Sequence, residues 1–267
     1  MTSTADDNAT RVAEMYDGFV GAQMPANLHF GYWSDDGDQV DLIAASERLT
    51  ARLIERLTPA SGQRILDLGC GVGGPALELA RSYDVEVVGI TVSDGQVAEA
   101  TARAQRGGLA DRVRFELADA MELPFDDASF DGAWFFESLL HMPDKQRALS
   151  EAARVLRPGS RLALADCFRR PGYDEPTEVV NLIDIDDYAP LLREAGFTVL
   201  DIRDVTEHAV FPPPAQEQLR EYIRLHPDIA RLYGTSITNW LFRDEEGAHE
   251  RGPGGFPGYV LITAQRR

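Results

Sequence analysis

Lysine is almost absent from this chain: of its 26 basic residues, only Lys145 is not an arginine. That bias is the codon signature of a GC-rich genome and carries no chemistry of its own. Cysteine is scarce as well. Cys70 and Cys167 are the only two, and they lack the spacing of metal ligands, so no zinc site and a reducing compartment are expected. No apolar run approaches the roughly 20 residues that cross a bilayer, and no basic leader precedes an apolar segment. A cytoplasmic protein without membrane partners is the expectation. Positive charge is in deficit, with a formal net charge of −18. Binding nucleic acid needs a basic surface, so that class of substrate is not expected. No internal repeat and no low-complexity segment appears.

What is present is a chain of 267 residues, 44% apolar, enough for one large core and a small cap. Its most informative stretch runs from Arg64 to Ala80. An apolar strand leads into a loop with glycine at 69, 71, 73 and 74, and Pro75 opens a helix. Glycines in such a loop let backbone N–H groups approach a ligand, because no Cβ is in the way. The spacing G-x-G-x-G, with Asp67 two residues upstream, differs from the G-x-G-x-x-G of a nicotinamide site.

The rest of the chain alternates strands and helices. Strands are expected at 64–69, 85–91, 113–118, 130–136, 161–168, 197–205 and 258–264, with helical patterns at 43–58, 75–82, 94–106, 144–157 and 184–195. Alternation of this kind gives βαβ crossovers and a parallel sheet. Residues 1–9 read as frayed, and an amphipathic helix is expected from Arg11, carrying Val12, Met15, Tyr16, Phe19 and Val20. Four regions follow: an N-terminal helix and aromatic lid (1–33), a core (34–205), a helical substrate cap (206–257) and a final core strand (258–267). The alternative for 206–257 is a peripheral packing helix.

Further motifs stand at the other strand ends. They are Gly89-Ile-Thr91 with Ser93 and Gln96, Asp119-Ala120-Met121, Glu137-Ser138 with Leu140-His141, and Asp166. Together with Met15-Tyr16-Asp17, the segment Asn27 to Trp33, the glycine loop and the closing Gly258 to Ile262, they resemble class I S-adenosylmethionine-dependent methyltransferases. The likeness is greatest to the rebeccamycin sugar O-methyltransferase group of small natural-product methyltransferases. It implies an α/β fold, a Rossmann-like, doubly wound, seven-stranded and mainly parallel sheet with the last strand antiparallel, plus a small helical cap. It also implies S-adenosylmethionine as cofactor and no metal.

On that resemblance Gly69, Gly71 and Gly73 approach the cofactor's amino-acid end, and Tyr16 lies over it while Trp33 helps to close the pocket. Thr91 stands where many relatives carry an acid for the ribose, and Thr91 with Gln96 would take that task, since a side-chain amide both donates and accepts. Ser93 and Gln96 equally match a helix capping box, S-x-x-Q. Asp119, Ala120 and Met121 are expected at the adenine. His141 and Asp166 both sit at the crevice rim, because parallel strands present their carboxyl ends on one side. His141 is therefore a candidate general base with Asp166 orienting its ring, and Glu137 is a third candidate catalytic residue.

The expected reaction is methylation of a hydroxyl on a small secondary metabolite of an antibiotic pathway. Two departures from the sugar group, Leu140 before His141 and a shortened segment after the fifth strand, bear on the acceptor. The alternatives are C-methylation of a prenyl or alkene carbon, N-methylation, and a cyclase on the same fold that transfers no methyl group. The partners expected are a small-molecule acceptor and, as an open option, a second copy of the chain.

Overall fold

The computed structural model describes residues 4–17, 27–34, 38–171, 179–225 and 256–267. Seven strands build one sheet: β1 (Arg64–Leu68), β2 (Glu86–Thr91), β3 (Val113–Leu117), β4 (Phe130–Phe136), β5 (Leu156–Phe168), β6 (Phe197–Asp204) and β7 (Gly258–Arg266). Their spatial order is β3-β2-β1-β4-β5-β7-β6. The first five strands pair parallel, and β7 runs antiparallel between β5 and β6. The inner strands are buried on both faces, which is why they read as near-continuous apolar runs.

Eight helices accompany the sheet among the described residues: α1 (Thr4–Asp17), α2 (Leu42–Leu57), α3 (Gly74–Ser82), α4 (Asp94–Arg106), α5 (Lys145–Val155), α6 (Tyr188–Glu194), α7 (Thr206–Ala209) and α8 (Pro213–Leu225). Alternate strand residues feed two cores. Ile65, Val87 and Trp134 pack on one face with Leu53 of α2, Ala80 of α3 and Ala104 of α4. Leu66, Val88 and Phe135 pack on the other with Leu149 of α5 and Leu192 of α6.

The strand order reverses between β1 and β4, and at such a switch point the crevice outside the carboxyl ends takes ligands. The loops after β1, β2, β3 and β4 all open there.

Two element boundaries differ most from the sequence reading, and one expected region is described only in part. Helix α1 begins at Thr4, not at Arg11, because its polar first turns still continue a helix that packs on α4. Strand β5 begins at Leu156, where Phe130 pairs with Leu156 across an irregularity before Gly132 meets Arg161. Of the region 206–257, only 206–225 is described; the remainder of that expected cap lies outside the described residues. Within the described part, α8 packs beside α2, and the Gln218 amide oxygen accepts from the Leu42 N–H at 3.2 Å.

Gly258 shows how closely β7 is fitted. A Cβ there would lie 2.1 Å from the buried Phe168 ring. Gly258→Ala is expected to destabilise the fold by about 1–3 kcal/mol through overpacking, read as a lower urea midpoint at unchanged slope. An unchanged midpoint would show that the ring moves aside freely.

Candidate active site

The crevice at the switch point holds about 1000 Å³ of empty space, its open mouth included. One wall is the glycine loop. Gly69 (φ +86°), Gly71 (φ +52°) and Gly73 (φ +85°) all adopt left-handed backbone, for three different reasons. A Cβ at Gly69 would meet the Ser138 Cβ at 2.3 Å, so glycine there lets the loops after β1 and β4 touch. The Ser138 hydroxyl closes that contact by donating to the Leu68 carbonyl. A Cβ at Gly71 would point into the crevice, with only Leu28 within 4 Å, at 3.8 Å. Gly73 is a packing glycine outside the lining: it caps α3, and its Cβ would strike the Phe115 ring at 2.6 Å.

Beyond the loop, Thr91 and Gln96 line the cavity together. The Thr91 hydroxyl donates to the Gln96 amide oxygen at 2.6 Å, leaving the Gln96 N–H groups as donors. Ser93 is the cap of α4, its hydroxyl accepting from the Gln96 backbone N–H at 3.0 Å, while the Gln96 side chain lines the cavity. Asp119, Ala120 and Met121 line the next stretch. One Asp119 oxygen takes the Met121 N–H at 2.8 Å, and the other has no hydrogen bond among the described residues.

Opposite stands the wall after β4. Glu137 is a non-glycine residue at φ +47°, a backbone state that costs energy and clusters at functional sites. One of its oxygens accepts from the Phe30 N–H at 2.7 Å and from the Tyr259 hydroxyl at 2.6 Å. Burial pushes this carboxyl up to about 8 despite both donors. His141 ends a 3₁₀ turn, Leu139–His141. Its Nδ1 faces the Val179 carbonyl at 2.9 Å. A carbonyl only accepts, so Nδ1 carries the proton and Nε2 keeps its lone pair. The Tyr16 hydroxyl donates to that Nε2 at 2.9 Å, and the Asn8 amide donates to the His141 carbonyl at 2.8 Å. Burial lowers the imidazole to about 4, so it is neutral across the physiological range. Helix α1 is thus fastened over the cavity by Asn8 and Tyr16, and by Asp17, which accepts from the Ser93 hydroxyl.

Gly73, expected at the cofactor's amino-acid end, packs outside the lining, and two further expectations are corrected. Asp166 does not hold His141; that task falls to the Val179 carbonyl. Asp166 is fully buried behind the lining, with one oxygen accepting from the Cys167 N–H at 2.9 Å. Trp33 does not reach the cavity. At 1% exposure it packs edge-on to Phe211, and its indole donates to the Val40 carbonyl at 3.2 Å.

The structure adds residues the motifs did not single out for the lining: Asn8, Leu28, His29 and Phe136. The His29 ring stacks on Phe136 with centroids 3.9 Å apart, and burial lowers it to about 4. Asp67 also lines the cavity; one of its oxygens is buried without a well-formed hydrogen bond among the described residues, and burial, offset in part by the Trp134 indole N–H, raises the carboxyl to about 7.

An orphaned carboxyl, an open glycine cradle and paired amide and carboxyl groups suit a ligand with an ammonium, a diol and a heteroaromatic amine. Among the described residues no cluster of His, Cys, Asp and Glu could hold a metal ion.

Comparison with known proteins accords with this geometry. A methyltransferase domain family matches residues 66–164. The 27-O-demethylrifamycin SV methyltransferase of Amycolatopsis mediterranei is 41% identical over 255 residues, covering 90% of each chain. The O-methyltransferase cnsE of Penicillium expansum is 43% identical over 268 residues, covering 96% of this chain and 92% of that one. Among solved structures, the [4+2]-cyclase SpnF superposes with a TM-score of 0.79 at 36% identity, covering 97% of this chain and 96% of that one.

Proposed function

Since this chain belongs to the class I S-adenosylmethionine-dependent methyltransferases that act on small secondary metabolites, we propose that it methylates a hydroxyl oxygen, with His141 as general base. The observation that carries the proposal is the fixed tautomer of His141, whose Nε2 lone pair lies at the cavity wall. S-adenosylmethionine supplies an electrophilic methyl group on a sulfonium when bound.

Everything else falls to the residues of the chain. Gly69 and Gly71 leave room for the cofactor's amino-acid end, and the orphaned Asp67 carboxyl is the acceptor for its ammonium. Gln96 and Thr91 take the ribose, and Asp119, Ala120 and Met121 the adenine. Tyr16 and Asn8 close the site from above and exclude water. As the acceptor hydroxyl enters, it displaces the Tyr16 hydroxyl from Nε2 and gives its proton to His141. In-line displacement then needs mainly positioning. Glu137, held by Phe30 and Tyr259, fixes the wall against which the acceptor packs.

The proposal includes the arrangement of the chain: residues 1–33 as lid, 34–205 with 258–267 as core, and 206–257 as substrate cap. The link between α7 and α8 supports this indirectly, since its Phe211 packs on Phe30 next to the lining residue His29. A cytoplasmic setting is supported by two buried free thiols, Cys70 and Cys167. No described helix is long and apolar enough to cross a membrane. The acceptor is taken as a small molecule and not nucleic acid, in keeping with the net charge of −18. Self-association through two copies is retained as an option.

A screen of hydroxylated pathway intermediates with S-adenosylmethionine tests the reaction. The expected product is heavier than its substrate by one methylene unit, with the new methyl on oxygen. A product on carbon or nitrogen would overturn the base assignment. The 36% identity to a [4+2]-cyclase favours one second reading, ring closure without transfer, and an unchanged product mass would select it.

A further inference from the structure

Only one oxygen of the Glu137 carboxyl is engaged with the chain. Oε1 takes both donors, the Phe30 N–H at 2.7 Å and the Tyr259 hydroxyl at 2.6 Å. Oε2 takes no hydrogen bond among the described residues, and Glu137 keeps part of its surface where it lines the cavity. The backbone is fixed as firmly. The Glu137 N–H donates to the Ala165 carbonyl at 2.7 Å, and φ is +47°. Oε2 is therefore held in place on the wall that also carries His141.

Among the described residues no cation pairs with this carboxyl. A desolvated carboxyl without a cation favours its neutral form, in keeping with the rise to about 8. Because Oε1 already accepts twice, the proton belongs on Oε2, and a neutral acid there is a hydrogen-bond donor. The titratable neighbours bring no positive charge. Tyr259 of β7 donates to Glu137, and Asp166 and Cys167 follow its partner Ala165 on β5. Tyr16 of α1 is bonded to His141, which is neutral. His29 is neutral too, and both its nitrogens are used inside the chain, Nδ1 on the Phe30 carbonyl at 2.8 Å and Nε2 on the Thr50 hydroxyl at 3.1 Å. What this part of the wall offers besides Oε2 is apolar: Leu28 and the stacked rings of His29 and Phe136.

We propose that Glu137 recognises the acceptor, with Oε2 donating a hydrogen bond to a carbonyl oxygen of a substrate whose apolar body packs on Leu28 and the His29–Phe136 stack. The acceptor class is then an apolar hydroxy-ketone, hydroxy-ester or hydroxy-lactone. This deepens the proposed function and rests on the acceptor binding beside His141. A polyol has no carbonyl to place there, and an amine would need the ionised carboxylate.

Calorimetry on the full chain with S-adenosylhomocysteine tests it. The probes are a hydroxydecalone, the decalol of the same skeleton without the carbonyl, and decalylamine. Below the Glu137 titration the hydroxydecalone is expected to bind about tenfold tighter than the decalol, since one hydrogen bond separates them. That preference is expected to fade as the pH rises through about 8, where the ionised group no longer donates. Glu137→Gln should keep the preference at every pH, because its amide oxygen can take the two chain donors and its NH₂ replaces the acid proton. Glu137→Leu should erase it. A hydroxydecalone that binds no better than the decalol, with no binding of either included, would overturn the proposal. So would a preference that ignores pH and survives Glu137→Leu, or tightest binding of decalylamine that Glu137→Gln removes. A merely structural Glu137 gives no pH-dependent preference for Glu137→Gln to make constant. If the leucine variant does not fold, the pH profiles of the parent and Glu137→Gln decide. Binding is read without turnover, so failure of His141 as a base would leave these results intact and is told apart from failure here.

Discussion

Gly71→Val is expected to abolish binding of S-adenosylhomocysteine, measured by calorimetry, with a loss of at least about a hundredfold in affinity. Two effects act in one direction. The side chain would project into the cavity, since its Cβ position is open space with Leu28 3.8 Å away, and a ligand would have to share that volume. The backbone at φ +52° also favours glycine, and a β-branched residue there is strained. Gly62 (φ +78°) provides the control. It has the same kind of backbone and nothing within 4 Å of its Cβ position, and it lies outside the cavity lining. Gly62→Val should share the strain and keep the binding. Equal loss in both variants would assign the effect to folding, and retained binding in Gly71→Val would remove the glycine loop from the cofactor site.

His141→Ala is expected to lower turnover by about a hundredfold or more, while cofactor affinity changes little. The imidazole itself should not limit activity until an unusually low pH, whereas cofactor binding should weaken earlier, as the Asp67 carboxyl, raised by burial to about 7, takes up its proton. Burial places the imidazole at about 4, so it remains neutral and able to accept until the pH falls through that value, well below the ordinary histidine range. Stability follows the same group with the same sign. The unfolded histidine binds its proton near 6.5 and the folded one near 4, so the folded state loses ground as pH falls between those values. His29 adds a second contribution in the same window, while the buried Asp67, Asp166 and Glu137 carboxyls, raised by burial, act with the opposite sign, because the folded state binds their protons first as pH falls. Melting curves recorded beside the rates separate the two. An activity loss that tracks unfolding, or a variant that keeps near-full turnover, would leave catalysis to positioning alone.

The parts of the site that were legible in the sequence are those fixed by short-range rules. A glycine loop after an apolar strand, and polar residues at strand ends, can be placed by periodicity and by the parallel sheet's handedness. The Ser93 cap was legible because a hydroxyl three residues before a backbone N–H leaves few geometries. Contacts across long separations were not. The His141 ring is held by the backbone carbonyl of Val179, 38 residues away, and every residue has a carbonyl, so no residue type announces that partner. Asp166 has the right chemistry and a place near the right rim, yet the sequence does not say whether its carboxyl faces the cavity or the wall. Trp33 was drawn to the pocket by family likeness; its position depends on Phe211, which only the folded chain brings near. Helix α1 was shortened because its first turns are polar, and polarity alone does not end a helix that has a neighbour to pack on.

The placement of β7 has a consequence for how the molecule is made. Strand β6 leaves the ribosome before β7, but among the described residues it has no sheet neighbour except β7, and β5 likewise waits for the same strand on that side. A nascent chain ending before Gly258 therefore carries an unpaired edge on β5, whose residues Leu162 to Phe168 are buried in the finished protein. Such an edge is a template for pairing with other chains. Sheet closure therefore waits for β7, and chains truncated before Gly258 are expected to go to aggregates and not to a smaller folded core.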